Sequence, residues 1–133
     1  MNRIMGRYNA TLRDDFRKQG LTIPQVRTLA VLSVTDGVTV NDLSVYTVIE
    51  QSTLSRTLDT LEGQGFVRRE QGVTDSRIRH VFLTDEGRAE FTRAWPAMHD
   101  AFEAMFEGID DAEYAALIAT LLKMLKNIRK HDI

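Results

Sequence analysis

The sequence has 133 residues, 43% hydrophobic and 27% charged, which suits one folded domain with its own core. Seventeen basic and nineteen acidic residues leave a formal charge of −2, which excludes a polycation that coats nucleic acid or lipid indiscriminately. The absence of cysteine excludes disulfides, thiolate metal sites and thiol redox chemistry. No apolar run approaches the roughly 18 to 20 residues of a membrane span, and arginines interrupt the N-terminus, so we expect a cytoplasmic protein without membrane contact.

The charge is distributed unevenly. Residues 1–19 carry five basic and two acidic side chains, and residues 52–83 carry five arginines against four acids. Residues 84–133 carry six basic against ten acidic side chains. This asymmetry is expected where one part of a small domain meets a polyanion and the rest meets another partner.

Four helices are predicted in the first half of the chain. A basic first helix shows apolar residues at intervals of four and ends at Gly20. Residues 22–25, Thr-Ile-Pro-Gln, have capping-box spacing and begin a second helix that runs to about residue 34. Thr39 caps a short third helix, and a fourth stops at Gly63 or Gly65. One face of the fourth helix carries Leu54, Leu58 and Leu61.

A hairpin and two long helices follow. The apolar period changes to two over residues 66–70 and 78–83, which predicts two strands joined by a long polar loop. Thr84 caps a helix in which Pro96 should cause a kink, and Asp110 opens the last helix. The chain is therefore predicted to be mainly α with a small β-hairpin wing, in one domain over residues 1–133.

This order of elements is that of a winged helix-turn-helix, whose second short helix enters the major groove while the hairpin reaches sideways. The candidate DNA-binding residues of the fourth helix are polar: Gln51, Ser52, Thr53, Ser55, Arg56 and Thr57. Asp59 and Glu62, in its later turns, disfavour an anion. Taken alone, such residues more often serve as helix caps and solvated surface charges than as DNA contacts.

The hairpin favours DNA binding because it holds four guanidinium groups within twelve residues, and arginine suits phosphate and narrow minor grooves. Besides Arg68, the candidate DNA-binding residues of the wing are Arg69, Asp75, Arg77 and Arg79. Asp75 is expected to hold Arg77 extended by a charge-assisted hydrogen bond. An Asp-capped turn with a weak surface ion pair is the alternative.

Several segments between residues 21 and 91 have a specific combined spacing. They are residues 21–25 before the second helix, residues 51–62 in the fourth helix, and three short motifs around the wing: Gly65-Phe66-Val67, Asp75-Ser76-Arg77 and Leu83-Thr84-Asp85-Glu86-Gly87. With these motifs the sequence resembles the multiple-antibiotic-resistance regulator (MarR) family, in which the fourth helix is the recognition helix. The resemblance implies that residues 51–57 read the major groove and that Arg77, oriented by Asp75, enters the minor groove. It also implies that the first and last helices of two subunits interlock, with residues 1–20 and 85–133 in dimerisation and residues 21–84 in DNA binding.

The sequence departs from the family pattern around the recognition helix. Val48 and Glu50 stand where the family usually has glycine in the turn and a short capping residue. Glu50 is a poor cap and repels phosphate. Tyr46 and Ser76 occupy positions that are basic in many members. These differences keep the fold and predict weaker affinity for the DNA backbone.

Two sets of apolar residues suggest two further partners, a second copy of the chain and a small molecule. A homodimer interface is predicted from apolar residues in the first and last helices: Ile4, Tyr8, Leu117, Leu121, Leu125 and Ile128. A pocket for a small aromatic or phenolic effector is predicted from aromatic and soft side chains: Tyr8, Leu12, Phe16, Trp95, Met98 and Phe102. A closed core would use the same pocket residues.

The predicted function is that of a homodimeric transcription regulator, a repressor that binds double-stranded DNA at a pseudo-palindromic operator, without cofactor or metal. A winged-helix module that binds protein instead of DNA is one alternative, favoured by Glu50, Tyr46 and the negative net charge. A small non-metal enzyme using the aromatic cavity is another. The sequence lacks a Gly-rich phosphate loop and a nucleophile elbow, and His80, His99 and His131 are scattered.

Overall fold

The computed structural model describes residues 1–130, so His131 and the last two residues of the segment assigned to dimerisation lie outside the described part. Six helices and three strands make up these residues, which is the mainly α winged helix-turn-helix predicted. The elements in chain order are α1 (Asn2–Gln19), α2 (Ile23–Val34), β1 (Val38–Thr39), α3 (Val40–Thr47), α4 (Gln51–Gly63), β2 (Val67–Gln71), β3 (Arg79–Leu83), α5 (Asp85–Met105) and α6 (Asp111–Ile128).

The helices begin and end at the residues that local chemistry selects. Gly20 follows α1 in the left-handed conformation, at φ 82°, which a residue without Cβ adopts freely. Thr22 and Gln25 form the predicted capping box, in which each side chain bonds the other residue's backbone N–H. The side chains of Thr39, Thr84 and Asp110 accept from N–H groups in the first turns of α3, α5 and α6. The predicted helix starts are therefore confirmed.

The sheet has three strands, whereas the sequence predicted a two-stranded hairpin. The strand order is β1-β3-β2, and both pairings are antiparallel. β1 was missed because it has only two residues, Val38 and Thr39, and exists through its pairing with Val81 and His80 of β3. A strand of two residues has no periodicity to recognise.

Two hydrophobic clusters hold the chain together. The larger lies among α2, α3, α4 and the sheet and includes the predicted stripe of Leu54, Leu58 and Leu61. The smaller joins α1, α2 and α5. Gly87 fixes the start of α5 against the wing base, since a Cβ there would lie 2.0 Å from the carbonyl oxygen of Phe66. The helices α1 to α5 and the sheet are thereby one packed unit.

α6 differs from the other helices because none of its residues is buried. Large apolar side chains are exposed along it, namely Tyr114, Leu117, Ile118, Leu122, Met124, Leu125 and Ile128. None of the helices described over residues 1–130 combines the length and apolar character needed to cross a bilayer. The apolar surface of α6 is thus left open by the fold of a single chain.

Candidate nucleic-acid interface

α4 presents polar side chains to solvent over its first two turns. Ser52, Ser55 and Arg56 are exposed, as predicted. Gln51 is exposed as well, and its Nε2 donates to Oδ1 of Asn41 in α3 at 2.8 Å. That hydrogen bond orients the Gln51 side chain, the first of α4. The side-chain carbonyl oxygen of Gln51 stays available to a base edge.

Thr57 does not lie on this face, which corrects the sequence prediction. It is 8% exposed, and its hydroxyl donates to the backbone carbonyl of Thr53 at 2.9 Å. The physical reason is helical geometry: the core stripe of Leu54, Leu58 and Leu61 is wide enough to bury the residue three positions after its first member. Thr53 itself is half-buried. The accessible set is therefore Gln51, Ser52, Ser55 and Arg56, with Thr53 at its margin.

The turn before α4 carries both departures noted in the sequence. Val48, which ends α3, adopts the left-handed conformation with φ 55° and ψ 45° and is exposed. Glu50 is the N-cap of α4, and its side chain makes no capping hydrogen bond. The first-turn N–H groups of α4 thus lack a side-chain acceptor, and a carboxylate stands beside them instead of the favoured short polar residue.

The wing tip holds its arginine outward. Arg77 is 89% exposed, and its Nε and Nη2 donate to the two carboxylate oxygens of Asp75 at 3.2 and 3.1 Å. The Arg77 backbone N–H also donates to Asp75, at 3.0 Å. These hydrogen bonds from Arg77 hold the pKa of Asp75 below its usual value, so the carboxylate stays charged. The guanidinium is thus exposed at the end of the hairpin while it is bonded to Asp75.

Arg69 is placed differently from the prediction. Its side chain is 15% exposed and turns onto α4, where Nη2 lies 2.7 Å from Oδ1 of Asp59 and 3.1 Å from Oε1 of Glu62. It is therefore an intramolecular partner of α4 instead of an open phosphate contact. Neighbouring Arg68 lies on the other side of β2, pairs with Glu70 and sits 4.3 Å from the centre of the Phe82 ring.

Sequence reasoning missed three residues at this surface: Asn41, Asp59 and Glu62. The last two, treated only as unfavourable to an anion, are the partners of Arg69. A signal was available, since the two-residue period of β2 puts Arg69 on the same side as buried Val67. Nothing in the local pattern pointed to Asn41, because its contact with Gln51 depends on how α3 and α4 pack.

The six residues predicted to line an effector pocket do not line one cavity. Leu12 and Phe16 are buried in the smaller core cluster, against which Tyr8 and Met98 pack. Trp95 is exposed and stacks on His99, while Phe102 contacts Phe106 and Tyr114 near α6. Most of these side chains close a core, because small side chains such as Ala94 and Ala97 bring α5 close to α1.

An open groove does lie between α1 and α5, with a volume of about 500 Å³. Its walls include Arg3, Arg7, Tyr8 and Met105. Burial raises the pKa of the Tyr8 phenol, so this group is a neutral hydrogen-bond donor at physiological pH. In the described part of the chain no three His, Asp or Glu side chains are grouped so as to hold a metal ion.

Comparison with known proteins agrees with this geometry. A MarR family model matches residues 19–78. The transcriptional regulator HosA of Escherichia coli is 32% identical over 107 residues, which cover 80% of this chain and 78% of HosA.

Solved structures extend the likeness to the whole chain. A MarR family transcriptional regulator from Silicibacter pomeroyi is 50% identical, with a TM-score of 0.94 over 100% of this chain and 90% of that one. BpsR of Bordetella bronchiseptica is 25% identical, with a TM-score of 0.79 over 92% of this chain and 93% of that one. The chain belongs to the MarR family and is a DNA-binding transcriptional regulator with a winged helix-turn-helix.

Proposed function

We propose that this regulator is a homodimeric repressor that binds a pseudo-palindromic operator. α4 enters the major groove with the accessible set Gln51, Ser52, Ser55 and Arg56, and the wing places Arg77 in the minor groove, with Arg79 beside the backbone. The half-sites lie about one helical turn, ~10 bp, apart. Regulation follows from occupancy of the operator.

The observation that carries the proposal is the outward presentation of Arg77. A free arginine samples many rotamers, and ordering it on binding costs about 0.5 to 1.5 kcal/mol. Asp75 engages Nε, Nη2 and the backbone N–H of Arg77 before DNA arrives, while the side chain remains 89% exposed. Such a side chain is ready to enter a narrow minor groove, which attracts arginine by its enhanced negative potential.

The test is operator binding by Arg77 variants. The operator is first selected from a genomic library with the wild-type protein. Arg77→Ala is expected to lose about 1 to 3 kcal/mol of binding free energy, roughly a fivefold to 150-fold loss of affinity. Arg77→Lys is the matched control: it keeps the charge and the salt dependence but loses the two-pronged bond to Asp75, so its affinity should be intermediate. Wild-type affinity in Arg77→Ala would contradict the proposed role of the wing.

The homodimer is supported by the uncovered apolar face of α6. A small domain that exposes contiguous large apolar side chains usually meets a partner there. Leu117, Leu125 and Ile128, predicted at the interface, are all exposed, and Ile4 is exposed at the start of α1. A second copy covers these helices and sets the distance between the two α4 helices.

We also propose that an aromatic acid releases the operator. The groove between α1 and α5 offers the guanidinium groups of Arg3 and Arg7 and the phenol of Tyr8. In the relative BpsR, 6-hydroxynicotinic acid regulates DNA binding. Aromatic acids are screened by thermal shift, and each hit is titrated against the operator complex of wild type and Arg7→Ala. A compound that raises the melting temperature without releasing DNA would refute the switch, since a ligand shifts an equilibrium only by binding the two states differently.

The second candidate is a winged-helix module that binds protein instead of DNA. The observation that favours it is Glu50, a carboxylate at the start of α4 without a capping contact. An electrophoretic shift with genomic fragments, with and without excess competitor DNA, separates the two. Absence of any specific fragment would favour the protein-binding module.

A further inference from the structure

Besides the core contact of Val67, the wing and α4 are joined by a partly buried arginine. Arg69 donates from its backbone N–H and its Nε to Oε2 of Glu62, at 3.1 and 3.3 Å. Its Nη2 donates to Oε1 of Glu62 at 3.1 Å and to Oδ1 of Asp59 at 2.7 Å. The four bonds run from the middle of β2 to two successive turns of α4.

The position of β2 gives these bonds their importance. β2 is an edge strand of the sheet, paired with β3 alone among the described strands, and the long loop after it carries Arg77. A two-stranded ribbon is flexible unless it packs on something else. On its outer edge the Arg69 N–H is bonded by a side chain of α4 instead of another strand.

We infer that Arg69 is a positioning residue for DNA binding. Through Glu62 and Asp59 it fixes the angle between the wing and α4, so that the exposed residues of α4 and Arg77 reach the two grooves together. A planar guanidinium that bonds two carboxylates is directional, and it therefore fixes an orientation as well as a distance. This inference rests on the proposed mode of operator binding.

Neutralising Asp59 and Glu62 tests the inference, because positioning and simple electrostatics predict opposite changes in DNA affinity. Asp59 and Glu62 are partly exposed carboxylates on the recognition helix, and by charge alone they repel DNA. If the two acids acted only through their charge, neutralising them would strengthen DNA binding. Positioning predicts the opposite, because the neutral amides hold Arg69 less firmly and the wing loses its fixed angle.

The test compares the full-length wild type with a double variant, Asp59→Asn with Glu62→Gln, on the selected operator. Fluorescence anisotropy is expected to show binding weakened about tenfold or more, the scale of one lost specific contact. Methylation protection by dimethyl sulfate reports the grooves separately. Guanine N7 beneath α4 should stay protected, while adenine N3 beneath the wing should lose protection. Affinity equal to or above wild type would overturn the inference.

Three controls separate positioning from other causes. Glu70→Gln removes an acid from the same strand outside the contact with α4, and it should bind as tightly as wild type or tighter. Thermal unfolding checks the fold, and if the double variant is unfolded, Asp59→Asn alone weakens one of the four bonds by removing its charge and must still weaken binding. A wild type that selects no operator contradicts the proposed function, whereas tight binding by both proteins contradicts only the positioning role.

A double-mutant cycle excludes a direct phosphate contact by Arg69. In wild type, Arg69→Ala should weaken binding and lose the same adenine protection. In the background of the two amides the same change should cost much less affinity than in wild type, because the charge-assisted bonds that it breaks are already weakened. A further loss of about tenfold in that background would show Arg69 in direct contact with DNA and would overturn the inference.

Discussion

Val48 gives the sharpest test of the local energetics around the recognition helix. It is the one residue other than glycine with positive φ in the described part of the chain, and it is β-branched. The left-handed conformation costs an L-residue roughly 1 to 2 kcal/mol, since Cβ crowds the following carbonyl oxygen. Because the Val48 side chain is 83% exposed, packing returns little of this cost. Val48→Gly removes the strain.

The change to glycine also removes stabilising free energy in two ways, and both amounts must be subtracted from the relieved strain. Its freedom in the unfolded chain costs about 0.4 to 1 kcal/mol. Burial of about a sixth of a valine side chain is worth roughly 0.3 to 0.5 kcal/mol. The net gain from Val48→Gly alone is therefore small, about half a kcal/mol, and a single measurement would not decide the question.

Val34→Gly is the matched control. Val34 is 82% exposed, ends α2 and is not among the residues with positive φ. The same two losses apply to it, so they cancel in the difference between the variants. We expect Val48→Gly to be more stable than Val34→Gly by about 1 to 2 kcal/mol, the strain alone. The assay is urea unfolding at one fixed protein concentration, because the stability of a dimer depends on concentration. Equal destabilisation by the two changes would refute the assignment of strain to Val48.

Three further outcomes are expected. Glu50→Ser and Glu50→Asp should both stabilise α4 by about 1 kcal/mol in urea unfolding through a new cap, but Ser alone removes the charge and should tighten operator binding in anisotropy titrations. Because the hydrogen bond from Arg69 lowers the pKa of Glu62 from 4.5, its stabilising effect is complete above that pH and is lost as the pH falls through the folded pKa. Glu62→Gln should abolish this part of the acid dependence of unfolding. Replacement of Leu121 and Leu125 by glutamate should yield a 15.1 kDa monomer in sedimentation and abolish operator binding, whereas a wild type that sediments as a monomer would contradict the dimer.

Features encoded within a few residues were predictable. The cap at Thr22 needs only its own turn, and Gly20 ends α1 because of its own φ. At Val48 the sequence showed only a departure from the glycine usual in the family, and the structure adds that this residue has positive φ. Local chemistry fixes such positions whatever the tertiary packing.

Features that depend on contact between elements were not predictable. β1 is a strand only because β3 lies beside it. Leu12 and Phe16 fit a pocket lining and a closed core equally well by pattern, and only the close approach of α5 to α1 decides for the core. Thr57 was predicted on the exposed face of α4 but lies at the edge of its buried face. The elements that pack on α4 determine how wide that buried face is.

The arginines of the wing show why counting charges overstates a DNA-binding surface. Arg68, Arg69 and Arg77 each pair with an acid in the same chain. Whether each guanidinium remains accessible to DNA depends on how far away in the sequence its acidic partner lies. Arg77 pairs with a residue two positions away on its own loop, so the pair travels with the wing tip and the guanidinium stays exposed. Arg69 pairs with residues seven and ten positions away on another element, and it is thereby committed to joining the wing to the recognition helix.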